Sequence, residues 1–322
     1  MAKLTTFNEL EALAATARRE YFGPTSANPY LAVEISGKAG GLAEWLKDLP
    51  CPVIGIGDGD LAPACDVVLD NDAKLPLLAK NIEKAPLATM ILVQHLRFTE
   101  LLSIQFSLIA ESFAYATVQK GPEFANWLAN REPEPPKKAA APTPLSVTTN
   151  NNTLELVMND PDNLNAVGTE MRDALCEALD MALTDTSLDK IKLTGAGRVF
   201  STGGEVSEFG EVIDPATAHW IRTLRLPAWR LARLCDNLHI HVNGAAVGAG
   251  AEMAAFGTHI SASPKAWFQL PELKYGLIPG AGGTASIPYR IGRQRTAYMA
   301  LSMEKIKAKT ALDWGLIDEM ID

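Results

Sequence analysis

The sequence is poor in the features that mark several protein classes. Its 322 residues include only four cysteines, Cys51, Cys65, Cys176 and Cys235, widely spaced and without a CxxC pair. That argues against a disulfide framework or a clustered thiolate metal site, and it reads as a reduced, intracellular protein with structural thiols. The uncharged run from Ala85 to Leu96 is far shorter than the roughly 20 residues that a membrane-crossing helix needs. The opening "MAKLTTFNEL" has no apolar stretch of the signal-peptide kind, so the expected location is the cytoplasm. Positive charge is in deficit, with 29 Lys and Arg against 38 Asp and Glu. Nucleic acids and anionic membranes reward the opposite balance, so neither is expected as a partner. A small anionic ligand held by a local basic patch or by backbone N–H groups stays open.

What is present suits a globular protein. Apolar residues make up 47% and charged residues 21%, enough to bury a sizeable core with room for a site. The length allows one large or two modest domains. The segment "REPEPPKKAAAPTP", residues 131 to 144, has five prolines and no large apolar side chain. Such a stretch cannot pack a core. We therefore place an N-terminal region at 1–131, a linker at 132–145 and a second region at 146–322.

The N-terminal region opens on a helical pattern and continues with short strands expected at 30–35, 52–57 and 66–70, each bounded by Gly, Pro or Asp. From Ala73 to Asn130 the pattern is helical, and "TELLSIQFSLIAESFAYATV" is its strongest amphipathic run. No residue cluster there points to catalysis, so its expected work is packing. The second region alternates strand and helix patterns, which argues α/β with crossover connections. "LSVTTNNNTLELVMN" predicts a hairpin turning at the asparagines, and "HIHVNG" a strand that runs into a small-residue turn and a helix.

That last turn carries the sharpest signal. Nine of the eleven residues from Gly244 to Ala254 are Gly, Ala or Val, and among them stands one carboxylate, Glu252. A strand, a small-residue turn and a helix start present unpaired N–H groups to a ligand carbonyl or anion. Gly203 and Gly204 form a second such turn, and two convergent N–H groups would make an oxyanion hole. Rival readings exist. "GAAVGAG" fits GxxxGxG and "GAGGTA" fits GxGxxA, but neither has the surroundings of a dinucleotide site. His239 and His241 share a strand face near Cys235, a conceivable metal site with unspecified further ligands. Ser201 lacks a nucleophile elbow. Close helix–strand packing alone also explains a run of Gly and Ala.

Taken together, "NDPDNLNAVGTEM", "LTGAGRVFSTGGEV", "VNGAAVGAGAEMA", "FQLPELKYGLIPGAGGTASIPYRIGR" and "ALDWGLIDEMI", in this order, closely resemble the crotonase (enoyl-CoA hydratase/isomerase) superfamily from about residue 146 onward. The resemblance implies a crotonase-like spiral of ββα turns, here preceded by a smaller α/β region with a helical C-terminal block. It implies an acyl-CoA substrate, with coenzyme A arriving as part of the substrate and with no metal or other cofactor. By the same resemblance Asn165, Ala166 and Val167 hold the CoA adenine end, the N–H groups of Gly204 and Ala249 form the oxyanion hole, and Glu252 and Glu272 are the acid/base pair. Both glutamates are present, which favours hydration of a 2-enoyl-CoA. Double-bond isomerisation and non-catalytic acyl-CoA binding are the alternatives.

Departures from the family pattern add expectations. Ala249 stands where glycine is frequent, which requires a negative φ. Glu205 follows the double glycine where Asp is common, and is expected to line the site as a third carboxylate. Trp267, Phe268 and Tyr275 suggest an aromatic-lined acyl pocket. The family implies a homo-oligomer, a trimer or hexamer. Its members continue past the point where this sequence stops, with helices that close the CoA site. The helical block of the N-terminal region is expected to fold onto the core in their place.

Overall fold

A computed structural model of the chain describes residues 3–132, 143–211 and 214–321, so most of the expected linker lies outside the described residues. The N-terminal region starts as a parallel sheet of four short strands, hydrogen-bonded in the order β1 (Leu4–Thr5), β2 (Leu31–Glu34), β3 (Val53–Ile56) and β4 (Val67–Leu69). Helices α1 (Phe7–Thr16) and α2 (Leu42–Lys47) connect the first three. Helix α1 starts at a capping box, in which Thr6 and Glu9 satisfy one another's backbone N–H groups. Four helices follow: α3 (Leu75–Lys84), α4 (Pro86–Thr99), α5 (Ile104–Val118) and α6 (Pro122–Asn130). Proline in the first turn starts three of them, where its missing N–H costs nothing.

The second region begins with the antiparallel hairpin β5 (Leu145–Asn150) and β6 (Thr153–Met158), which turns at Asn151 with a φ of 51°. After α7 (Thr169–Thr184) come β7 (Lys190–Gly195) and β8 (Val199–Ser201), then α8 (Pro215–Arg225) and α9 (Ala228–Leu234), broken apart at Pro227. The next turn is β9 (Leu238–Val242), β10 (Ala245–Val247) and α10 (Ala249–Ala254). The last is β11 (His259–Ala262), β12 (Trp267–Gln269) and α11 (Gly283–Ser302), closed by β13 (Ile306–Lys307), α12 (Ala308–Trp314) and β14 (Glu319–Met320). In each turn the first strand joins a six-stranded sheet, ordered β14-β11-β9-β7-β6-β5, and the second joins a four-stranded sheet, ordered β13-β12-β10-β8. The chain thus spirals between two sheets, laying down ββα units. Strands β10 and β12 differ from the sequence expectation of turn and unassigned chain.

One apolar core runs through both regions. Leu78, Leu92, Leu108 and Phe124 from α3 to α6 belong to the same buried cluster as Phe200, Met253, Phe268 and Leu301. Buried polar contacts tie them as well. Asn81 Nδ2 donates to the carbonyls of Leu301 (2.8 Å) and Ser302 (3.1 Å) at the end of α11. Asp66, 1% exposed, is held by Arg97 from α4 and by Arg293 from α11. Arg293 also donates to the carbonyls of Cys65 and Pro63, so a buried guanidinium is satisfied only by partners from the N-terminal region.

Candidate active site

The small residues around Gly248 serve a backbone purpose. Gly248 turns the chain from β10 into α10 at a φ of 49°, a conformation that L side chains rarely adopt, and a side chain there would meet the Glu272 carboxylate at 2.7 Å. Its N–H is taken by the Gln269 carbonyl, whereas the Ala249 N–H has no acceptor among the described residues. Ala249 has a negative φ, so alanine fits where glycine is frequent. The second turn follows β8. Gly203, at φ 92°, donates its N–H to Ser201 Oγ, and Val167 N–H donates to the Gly203 carbonyl. The next N–H, that of Gly204, again has no acceptor among the described residues.

Gly204, Ala249, Glu252 and Glu272 all line one cavity of about 230 Å³. Glu252 is 2% exposed, and its Oε2 accepts from the N–H groups of Ala281 (2.7 Å) and Gly283 (2.8 Å). Burial pushes the Glu252 carboxyl well above the usual carboxylate range, helped by the neighbouring Glu272 and Glu111. Burial likewise raises Glu272 to about 8. Its Oε2 is buried without a hydrogen-bond partner among the described residues. Glu252 has two fixed donors and Glu272 Oε2 has none. The two amides favour a charged Glu252 against its burial, and no donor relieves Glu272 Oε2, so the two carboxyls titrate as one coupled pair.

Glu252 shares its loop with a second carboxylate that the sequence reading passed over. Glu111 of α5, 1% exposed, accepts from the N–H groups of Gly282 (2.7 Å) and Thr284 (2.9 Å) and from the Thr284 hydroxyl (2.7 Å). Residues 281 to 284 thus offer four successive N–H groups at the start of α11, taken alternately by Glu252 and Glu111. The Thr284 hydroxyl accepts in turn from His95 Nε2 at 2.7 Å. Burial lowers His95 to about 4, which keeps that ring neutral. One turn after Glu111, Tyr115 lays its ring on Gly280, where any side chain would overlap it, and lines the cavity. The N-terminal region therefore does more than pack: Tyr115 lines the cavity, and Glu111 holds the loop that orients Glu252.

Tyr275 lines the cavity beside Phe209, with Trp127 of α6 packed edge-on behind it at 4.9 Å. Trp267 and Phe268 do not line it. Phe268 is core, and Trp267 lies on the sheet with the Lys305 ammonium over its ring. Glu205 is not a third carboxylate of the cavity; it accepts from the Ser207 N–H and hydroxyl and from Asn163 Nδ2. Ser201 is fully buried, and its hydroxyl donates to the Asn165 carbonyl. Among the described residues no cluster of His, Cys, Asp or Glu could hold a metal ion, and no helix is long and apolar enough to cross a membrane.

Asn165, Ala166 and Val167 stand outside the cavity lining, on the loop that pairs with Gly204. Asn165 is fully buried at a φ of 53°, which asparagine tolerates better than most residues. Its Oδ1 accepts from the Asp160 N–H, and its Nδ2 faces the carbonyls of Ala196, Val199 and Phe200 at 3.0–3.1 Å. The side chain is fully buried and bonded to backbone groups on both sides, so it fixes the loop rather than meeting a ligand. Asn165→Ala should therefore act on stability, by about 2–4 kcal/mol from unsatisfied buried groups and left-handed strain. A thermal melt should fall by about 5–10 °C; an unchanged melt would contradict this role.

Comparison with known proteins gives the family of the second region. The family model for enoyl-CoA hydratase/isomerase matches residues 148–322. The 2,3-dehydroadipyl-CoA hydratase of Escherichia coli (strain K12) is 34% identical over 177 residues, covering 55% of this chain and 68% of that protein. The 1,2-epoxyphenylacetyl-CoA isomerase of the same organism is 33% identical, covering 52% of this chain and 66% of its own length. The mitochondrial enoyl-CoA hydratase of Pongo abelii is 32% identical over 53% of this chain and 58% of its own length. The chain thus spans about two thirds or less of these relatives. Among solved structures, an enoyl-CoA hydratase/isomerase from Mycobacterium paratuberculosis superposes with a TM-score of 0.52 at 28% identity, covering 56% of this chain and 74% of that one. With the family model matched over more than half its length and the ββα spiral in place, the chain belongs to the enoyl-CoA hydratase/isomerase family.

Proposed function

We propose that this protein hydrates a 2-enoyl-CoA thioester to a 3-hydroxyacyl-CoA. The observation that carries the reading is that the buried Glu252, the Glu272 carboxyl with its buried Oε2, and two acceptor-free N–H groups all line a single cavity. The N–H groups of Gly204 and Ala249 receive the thioester oxygen, where negative charge grows as an enolate forms. Fixed donors in a site shielded from water lower that barrier without reorganising. Glu252 takes a proton from water as its oxygen bonds to C3, and Glu272 delivers its proton to C2. One water is added, and the proton count balances across the pair. No step draws on a metal or redox group, and coenzyme A enters with the substrate. Asn165, Ala166 and Val167 border the proposed CoA adenine end through their loop rather than through side chains. Assembly as a trimer or hexamer in the cytoplasm follows from family resemblance.

A panel of enoyl-CoA thioesters tests the reaction. The expected result is loss of the conjugated-thioester absorbance together with a product heavier by one water. Binding of the panel without turnover would point instead to a non-catalytic acyl-CoA protein.

The raised carboxyl of Glu272 has a stability consequence. Between the ordinary carboxylate range and about pH 8 the folded state holds a proton that the unfolded state has released. Stability therefore falls as pH rises through that window. Gln cannot ionise, so Glu272→Gln should gain stability relative to the wild type as pH goes from about 5 to about 9. Melts across this range check the sign: a difference that shrinks or stays flat would contradict a buried, proton-holding Glu272.

A further inference from the structure

Arg222 of α8 lines the same cavity as the two glutamates, yet it has no carboxylate partner. Its Nε donates to Ser112 Oγ (3.0 Å), one terminal nitrogen to Gln119 Oε1 (3.0 Å) and the other to the Ser112 carbonyl (3.1 Å). All three acceptors are neutral. A guanidinium has five N–H donors, so two are left without acceptors among the described residues. The contrast with other sheltered arginines is sharp: Arg97, Arg230, Arg290 and Arg293 each reach an aspartate. The charge of Glu111 reaches Arg222, but its oxygens are occupied by Gly282 and Thr284.

Tyr115 completes the arrangement. The Arg222 guanidinium sits over its ring at 4.9 Å, while the ring itself lies against Gly280 beside the glutamates. The phenol hydroxyl has no hydrogen-bond partner among the described residues, and it lines the cavity. An apolar acyl tail entering here would strip water from the guanidinium and the phenol and return no acceptor, which is costly. A carboxylate matches the guanidinium fork and can also accept from the phenol.

We propose that Arg222 and Tyr115 form an anion-recognising end of the acyl pocket, selecting acyl-CoA thioesters whose acyl chain ends in a carboxylate. The assignment rests on the acyl-CoA reading of the cavity. It adds a substrate class and a task for α5 and α8 that the family motifs do not carry.

Saturated thioesters test it without turnover. Titration calorimetry of the full-length protein with adipoyl-CoA and with hexanoyl-CoA should show tighter binding of adipoyl-CoA by about tenfold or more. Salt should shrink that advantage. Arg222→Gln should erase most of it, Tyr115→Phe part of it, and Arg222→Lys should keep a remnant, since an ammonium retains charge but not the fork. Equal binding of the two by the wild type, tighter binding of hexanoyl-CoA, or failure of both to bind overturns the proposal. So does an Arg222→Gln variant that weakens both thioesters equally, which is the mark of a purely structural arginine. If that variant does not fold, the wild-type comparison alone decides. Failure of the hydration reading shows separately, as no turnover on the enoyl-CoA panel while the binding preference persists.

Discussion

Glu272→Gln is expected to lower kcat for hydration by about 10²–10⁴-fold, the usual contribution of a positioned general acid or base. The substitution removes the group that we assign to proton delivery at C2 and changes little else. The side chain keeps its size, and its buried Oε2 makes no hydrogen bond among the described residues that would be lost. Glu252→Gln should fall by a similar factor for a different reason. An amide directed at the N–H groups of Ala281 and Gly283 presents either its oxygen to them, leaving an NH2 toward the water, or a clashing donor. In neither orientation can it take a proton. The two variants also separate the reactions open to this family. An isomerase that moves one proton between C2 and C4 through Glu252 alone would survive Glu272→Gln and die with Glu252→Gln. Steady-state rates of both variants on the best enoyl-CoA of the panel decide the matter. Hydration retained within about tenfold in Glu272→Gln would remove that residue from the acid/base role.

Deleting residues 1–131 is expected to leave a core that is insoluble or unfolded. Large apolar side chains of α3 to α6 share one buried cluster with the ββα spiral. Each is worth about 1.5–3 kcal/mol when buried, so losing a handful of such contacts is comparable to a whole net stability of about 5–15 kcal/mol. Polar groups make the case stronger. The truncated chain would leave the Arg293 guanidinium and the N–H groups of Gly282 and Thr284 without the partners that now satisfy them. The start of α11, and with it the two amides that orient Glu252, would lose its second carboxylate. We propose on this basis that the N-terminal helices are an integral part of the core that supports the spiral. Expression of residues 132–322 alone, judged by solubility and acyl-CoA binding, tests this. A soluble fragment that binds as tightly as the full chain would contradict it, whereas recovery on co-expression with residues 1–131 would strengthen it.

Much of the fold could be read from the sequence because its signals are local. The strands β2, β3 and β4 fall at the three expected segments, each bounded by turn-forming residues. The hairpin turns at the asparagine cluster, where Asn151 takes up a positive φ. Strand β10 was missed because "AAV" has neither length nor alternation, and only its neighbours β8 and β12 make it a strand. That gap also misled the reading of the aromatic residues. Without β12 as a strand, the directions of Trp267 and Phe268 have no basis in the sequence, and neither residue lines the cavity.

Glu252 stood out as one carboxylate among the chain's smallest side chains, whereas Glu272 and the backbone donors were named only through family resemblance. Glu111, Tyr115 and Arg222 come together across more than a hundred residues of chain, a distance no motif spans. A trace of the signal was present: Glu111 is the one charged residue between Ile104 and Val118. A carboxylate in an otherwise uncharged amphipathic helix needs a partner, and here the partner is the loop that holds Glu252.

In the proposed reaction, paired amides and paired carboxyls converge on one thioester. A crystal structure with a saturated, unreactive acyl-CoA measures this most directly. The thioester oxygen is expected at about 2.7–3.1 Å from the N–H nitrogens of both Gly204 and Ala249, with C2 and C3 lying between the carboxyls of Glu252 and Glu272. A thioester seated elsewhere, or one whose oxygen meets neither amide, would contradict it.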